Sequence, residues 1–102
     1  MPYETIDFDQ LTLTPGEHPL ETKRVPTSPG VVRLEFAPGF KDPNVCLNGH
    51  VIYVIEGALT LHFDDASRVI GAGEACVIEP GTGHRAANEG DAPVTILVVS
   101  RS

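Results

Sequence analysis

An all-β chain, folded as a jelly-roll sandwich or closed barrel, is what this sequence predicts, and three observations carry the prediction. Strand-length runs rich in Val, Ile, Leu and Thr recur along the 102 residues. Ten glycines and nine prolines punctuate them, as turns between short strands require. No capped segment repeats apolar residues at i, i+3 and i+4, so no amphipathic helix is expected. Many short strands with regular turns and no helices need a second sheet layer or closure to bury their apolar faces.

Taken in order, residues 1–30 read as an N-terminal arm with edge strands, part of the same domain as a core over 31–102. TIDF and LTLT are candidate short edge strands, and TPGEHP (14–19) is a turn. LETKRVP (20–26) is an edge strand whose pairing Pro26 limits. TSPG (27–30) turns into VVRLEF (31–36), where Val32, Leu34 and Phe36 alternate with Val31, Arg33 and Glu35, the pattern of a half-buried strand. APGFKDPN (37–44) is a loop, and VCL enters the next strand. HVIYVIE (50–56), ALTLHF (58–63) and RVIGAGEACVIEP (68–80) follow as strands. FDDASR (63–68) makes a hairpin of 58–70. PGTGH (80–84) is a tight loop, GDAP (90–93) the last turn, and VTILVVS (94–100) the closing strand.

Two of these strands are apolar on both faces. In VIYVIE, Ile52 and Val54 point one way and Val51, Tyr53 and Ile55 the other; VTILVVS behaves alike. Such strands are covered on both faces. One face lines the interior, and the other needs a second layer, the arm or another subunit, which predicts a homodimer.

Composition excludes several classes. A formal charge of -7, from 14 acidic and seven scattered basic residues, argues against a nucleic-acid partner, which needs clustered Lys and Arg. No apolar run approaches the ~20 residues of a membrane span. MPYETIDFDQ is acidic and lacks the basic then apolar order of a secretory signal, so a cytoplasmic location is expected. Two cysteines, Cys46 and Cys76, are then expected as free thiols rather than a disulfide. No nucleophile elbow, phosphate-cradling loop or Cys-x-x-Cys is present, and no organic cofactor is implied.

The chemistry concentrates at NVCLNGHVIYVIEG (44–57), where Cys46 and His50 stand four residues apart at the approach to an apolar strand. Each, taken alone, has a plain structural reading: Cys46 as a small buried hydrophobe and His50 as a hydrogen-bonded barrel residue.

Here the chain resembles the cupin superfamily of small β-barrels. GEACVIEPGTGHRAAN places Gly73, Gly81, His84 and Asn88 in register with that family's second motif, with Glu79 where the family has its first Pro. The first motif is a variant. YVIEG resembles the family's YVLEG, but its two His slots hold Asn44 and Cys46, and its Glu slot holds His50. Gly39 falls one residue nearer than the pattern asks. A subset of small cupins carries a similar front, and the resemblance spans roughly 31–100.

The resemblance makes His84 a metal ligand and Cys46 and His50 its partners, with Asn44 a weak fourth ligand or water-positioning group. Thiolate and imidazole favour zinc ahead of iron, nickel or manganese. His62 is a candidate acid/base group or further ligand if the Ala58–Thr60–His62 face lines the barrel, and a surface or second-layer His otherwise. Tyr53 and Arg33 are candidate contacts to a small-molecule ligand. Arg85 and His18 read as surface residues and Cys76 as a core thiol. The family includes isomerases, lyases, decarboxylases, dioxygenases and ligand-sensing modules, so the implied function is metal-dependent chemistry on a small molecule, or binding of one without chemistry.

Overall fold

A computed structural model of the chain describes residues 2–101. A 3-10 turn at Phe8–Gln10 precedes nine strands: β1 (Thr14–Pro15), β2 (Glu21–Arg24), β3 (Val31–Phe36), β4 (Gly49–Glu56), β5 (Ala58–Phe63), β6 (Ser67–Gly71), β7 (Ala75–Ile78), β8 (His84–Ala87) and β9 (Val94–Arg101). They form two antiparallel sheets, a six-stranded one in the order β1-β2-β3-β9-β4-β7 and a three-stranded one in the order β6-β5-β8. Together they make the jelly-roll barrel that the strand pattern requires.

The core follows from period-2 alternation. Phe36 on β3, Ile52 and Val54 on β4, Leu59 and Leu61 on β5, Ile78 on β7, and Val94, Ile96 and Val98 on β9 meet between the sheets, with Phe40 from the 37–44 loop. Leu59, Leu61 and Val54 are 0% exposed. Burying each such side chain contributes about 1.5–3 kcal/mol.

The step from one sheet to the other occurs at Gly57. The β4–β9 register slips between Val54 and Glu56, and Gly57 then adopts φ +82. A Cβ there would lie 2.5 Å from the Pro93 carbonyl oxygen, so both the left-handed backbone and the close approach call for glycine. Buried Asn88 fastens the far end of the small sheet. Its Nδ2 donates to the carbonyls of Phe36 (3.0 Å) and Ala92 (2.9 Å), and its Oδ1 accepts from Gly90 N–H (3.1 Å).

Four local expectations change. TIDF runs into a 3-10 turn, not a strand, because the Asp7 carboxylate takes the Asp9 N–H and caps it. LTLT pairs only at Thr14–Pro15, where the ladder with β2 is two residues long. VCL contributes a single bridge, Cys46 to His84. RVIGAGEACVIEP divides into β6 and β7, which lie in different sheets. The turn between them is closed by Glu74 N–H to Gly71 O (3.0 Å) and Gly71 N–H to the Glu74 carboxylate (2.7 Å), and docks on β4 through Val54.

The arm extends the larger sheet through β1 and β2. Arg24 donates to the Leu11 carbonyl at 2.6 Å and Arg33 pairs with Asp9 at 3.0 Å, which ties the 3-10 turn to the outer side of β2 and β3. The centre of that outer face, over β4, β7 and β9, is apolar and, among the described residues, uncovered. Val51 is in register with Val77 and Val99, and Tyr53 with Leu97. Tyr53, Ile55, Val77 and Val99 are 42%, 43%, 60% and 38% exposed.

Candidate metal centre

Cys46 and His84 are held face to face by the backbone. Cys46 N–H donates to His84 O at 2.8 Å and His84 N–H donates to Cys46 O at 3.1 Å. A doubly bonded antiparallel pair projects its side chains to the same side, about 5.5 Å apart at Cα. His50 joins them from β4, where the parity of Ile52 and Val54 turns it inward. Its Nε2 lies 3.3 Å from Cys46 Sγ, and its ring meets that of His84 edge-on with centroids 5.4 Å apart. One ligand atom from each of the three lies within 4.8 Å of the others, so a single ion could be held among them.

The residues fit a metal on their own chemistry. His84 is 4% exposed, and its Nδ1 is 2.8 Å from the Thr82 carbonyl. Nδ1 must carry the proton to bond that carbonyl, which in the neutral ring leaves Nε2 as a lone-pair donor, the arrangement that orients metal-binding imidazoles. His50 Nδ1 is buried with no hydrogen-bond partner. His50 is held below its ordinary value of 6.5, first by loss of solvent and then by the charge of His84, so the neutral, ligating form prevails at neutral pH. One thiolate and two imidazoles form a donor set that suits zinc.

These side chains face a cavity of about 110 Å³. Leu34, Phe36, Ile52, Ile96 and Val98 give it apolar walls, and Phe36 stacks flat on Phe40 with centroids 4.0 Å apart. Larger depressions lie elsewhere, one of about 410 Å³ against the 27–30 turn and one of about 520 Å³ on the outer side of the small sheet.

The other candidate residues are distributed differently. Asn44 sits outside the trio, in a neighbouring depression with Glu17 and His18, and its N–H donates to Asp42. His62 borders the outer depression of about 520 Å³ with Arg85 rather than the cavity beside the trio. Its ring bridges Ser67 Oγ (2.7 Å) and Glu89 Oε2 (2.8 Å). Tyr53 and Arg33 both lie on the outer face of the larger sheet, away from the cavity. His18 packs edge-on against Phe40 and accepts the Leu20 N–H, so it is part of the fold near the barrel mouth. Cys76 is partly buried against the core, and burial pushes its thiol up. Both cysteines are free.

Two residues that sequence reasoning passed over do line the cavity, Glu21 from β2 and Asp42 from the 37–44 loop. The only signal for Glu21 is its parity. It pairs with inward-facing Phe36, which becomes legible only once the β2–β3 register is known.

Fold and motif together define the class. Residues 33–100 match the cupin domain family, and the chain belongs to it. A comparison with curated protein sequences finds no match. Among solved structures, the chain is similar to the polyketide cyclase RemF from Streptomyces resistomycificus, with 23% identity over 96% of this chain and 78% of that one, at a TM-score of 0.80. A sugar phosphate isomerase of the cupin superfamily from Silicibacter pomeroyi is 23% identical over 97% and 76% of the two chains, TM-score 0.77. A predicted oxalate decarboxylase from Thermotoga maritima is 17% identical over 95% and 97%, TM-score 0.78. At these identities the likeness is one of fold. No helix among the described residues is long and apolar enough to cross a membrane.

Proposed function

We propose that this cupin binds one divalent metal ion through Cys46, His50 and His84 and acts on, or binds, a small molecule inside the barrel. The observation that carries the reading is the convergence of the three ligand atoms to within 4.8 Å of one another. Zinc is favoured over iron, nickel or manganese, because a thiolate with two imidazoles is a borderline-soft set. A bound ion supplies Lewis acidity or an activated water. The chain itself orients His84 through the Thr82 carbonyl and surrounds the site with mostly apolar walls. A thiol that must stay reduced to ligate supports a reducing compartment such as the cytoplasm.

Three ligands with an open position favour an enzyme, an isomerase or lyase with zinc and a dioxygenase with iron. A second reading, a non-catalytic sensing or carrier barrel that need not hold metal, is favoured by the small cavity, about 110 Å³ against the ~300 Å³ at which ordinary ligand pockets begin. Elemental analysis of protein purified without an affinity tag, followed by metal titration, decides the first point. One equivalent of metal that disappears in Cys46→Ala and in His84→Ala is expected. Metal retained in Cys46→Ala would reduce the thiol to packing, and metal-free wild type would leave the sensing reading.

We also propose a homodimer through the outer face of the larger sheet. Val51, Tyr53, Val77, Leu97 and Val99 form its apolar centre, and Arg33, Glu35, Glu79 and Arg101 bring both signs of charge to its rim. A patch of that kind is self-complementary under a two-fold axis.

A further inference from the structure

The cavity beside Cys46, His50 and His84 carries charge that the ligand trio does not account for. Glu21 and Asp42 line it, and among the described residues no Lys or Arg does. The same two carboxylates, with Phe40, also border a neighbouring depression of about 130 Å³ that holds Glu17, His18 and Asn44. They therefore stand between the inner cavity and that depression.

Both carboxylates are half-buried and positioned rather than free. Glu17 N–H donates to Glu21 Oε1 at 3.0 Å, and Asn44 N–H donates to Asp42 Oδ1 at 3.1 Å. The second oxygen of each takes no other hydrogen bond among the described residues. Glu21 lies flat on the turn before it, where a Cβ on Gly16 would sit 2.5 Å from Glu21 Cγ. A glycine at 16 leaves the space this placement needs. At the inner end, His84 is 4% exposed, and its Nε2 has no hydrogen-bond partner among the described residues.

We propose that the barrel admits a small molecule that is uncharged or cationic and carries N–H or O–H donors, and turns away carboxylates and phosphates, with Glu21 and Asp42 as the selecting pair. This rests on the reading of Cys46, His50 and His84 as a metal site. A divalent ion with one thiolate leaves a single positive charge, and two carboxylates turn the cavity net negative. Both carboxylates are half-buried, and the apolar walls of the inner cavity limit screening on that side. The size of the cavity adds a second limit. A cavity of about 110 Å³, below the ~300 Å³ at which ordinary ligand pockets begin, suits a very small molecule or the reactive end of a larger one. Each free carboxylate oxygen is an acceptor for the molecule's donors, and a charge-assisted bond there is about twice as strong as a neutral one.

The test uses metal-loaded full-length protein and three probes of matched size: ethanolamine, ethylene glycol and glycolate. Binding is read by amide chemical-shift changes, and metal affinity is titrated separately. Wild type is expected to bind ethanolamine at least about 10-fold more tightly than glycolate, with ethylene glycol between them. Glu21→Gln with Asp42→Asn should remove or reverse that preference while metal affinity stays within about three-fold. Glycolate binding as tightly as ethanolamine in wild type, an unchanged preference in the double variant, or failure of both ethanolamine and ethylene glycol to bind would each overturn the proposal. So would loss of metal affinity in Glu21→Gln, which would make that carboxylate a ligand. If wild type takes up no metal, the metal reading fails by itself, and the same probes on the metal-free protein still decide the charge preference.

Discussion

Replacing Asn88 with Ala should cost this barrel about 3 kcal/mol. The side chain is 1% exposed and makes three hydrogen bonds to backbone, to Phe36 O, Ala92 O and Gly90 N–H. Each is worth about 1 kcal/mol net, and orphaning a buried carbonyl adds to that. Water cannot easily replace the lost amide, because Phe36 is itself buried at 2% exposure. For a domain of this size, about 3 kcal/mol corresponds to a fall of roughly 12–24 °C in Tm. The assay is urea unfolding with a chelator present, so that bound metal contributes nothing to the midpoint. Asn88→Asp supplies the control. It keeps the acceptor for Gly90 but sets a carboxylate against two carbonyls, so its loss at neutral pH should equal or exceed that of Ala and shrink as the carboxyl is protonated. A loss below about 1 kcal/mol in Asn88→Ala, with unchanged m, would refute the clamp.

Four further outcomes follow from the structure. In the metal-free protein, His50 is held below its ordinary 6.5 by burial and then by His84, so the unfolded chain takes up the proton first as pH falls. Stability should decline as pH drops through 6.5 and level off below the folded pKa, and His50→Gln should flatten that decline in urea titrations. Burial raises the Cys76 thiol above 9.0, so the folded chain keeps a proton that the unfolded chain releases; stability should fall as pH rises past 9.0, and less so in Cys76→Ala. Gly57→Ala should destabilise by about 2 kcal/mol or more, since it adds a Cβ at φ +82 within 2.5 Å of Pro93 O; midpoints equal to wild type would contradict this. If the proposed dimer forms through the outer face, wild type should be a dimer by light scattering at micromolar concentration, and Val77→Asp, at a 60% exposed position in that face, should be a monomer with the fold intact by circular dichroism.

The sequence by itself determined the all-β class, because runs of β-branched residues bounded by Gly and Pro bury apolar surface well only in packed strands. It also determined which side chains share a face within each strand. Ile52 with Val54, and Leu34 with Phe36, lie together inside as their alternation requires. The match to the second motif put His84 and Asn88 in their slots, and the variant first motif singled out Cys46 and His50.

Tertiary structure decided the rest, and the reason is geometric. A period of two states the relative phase of a strand's residues, whereas register against its neighbours decides which phase points inward and what it meets there. The Cys46–His84 bridge, which brings together two residues far apart in the chain, is such a contact. So is the β2–β3 ladder that carries Glu21 into the cavity from an arm read as an exposed edge. The same registers set Tyr53 and Arg33 on the outer face of the larger sheet, and His62 beside Ser67 and Glu89, outside the cavity beside Cys46, His50 and His84. Residue chemistry named the candidate ligands; the fold brought Glu21 and Asp42 to stand beside them.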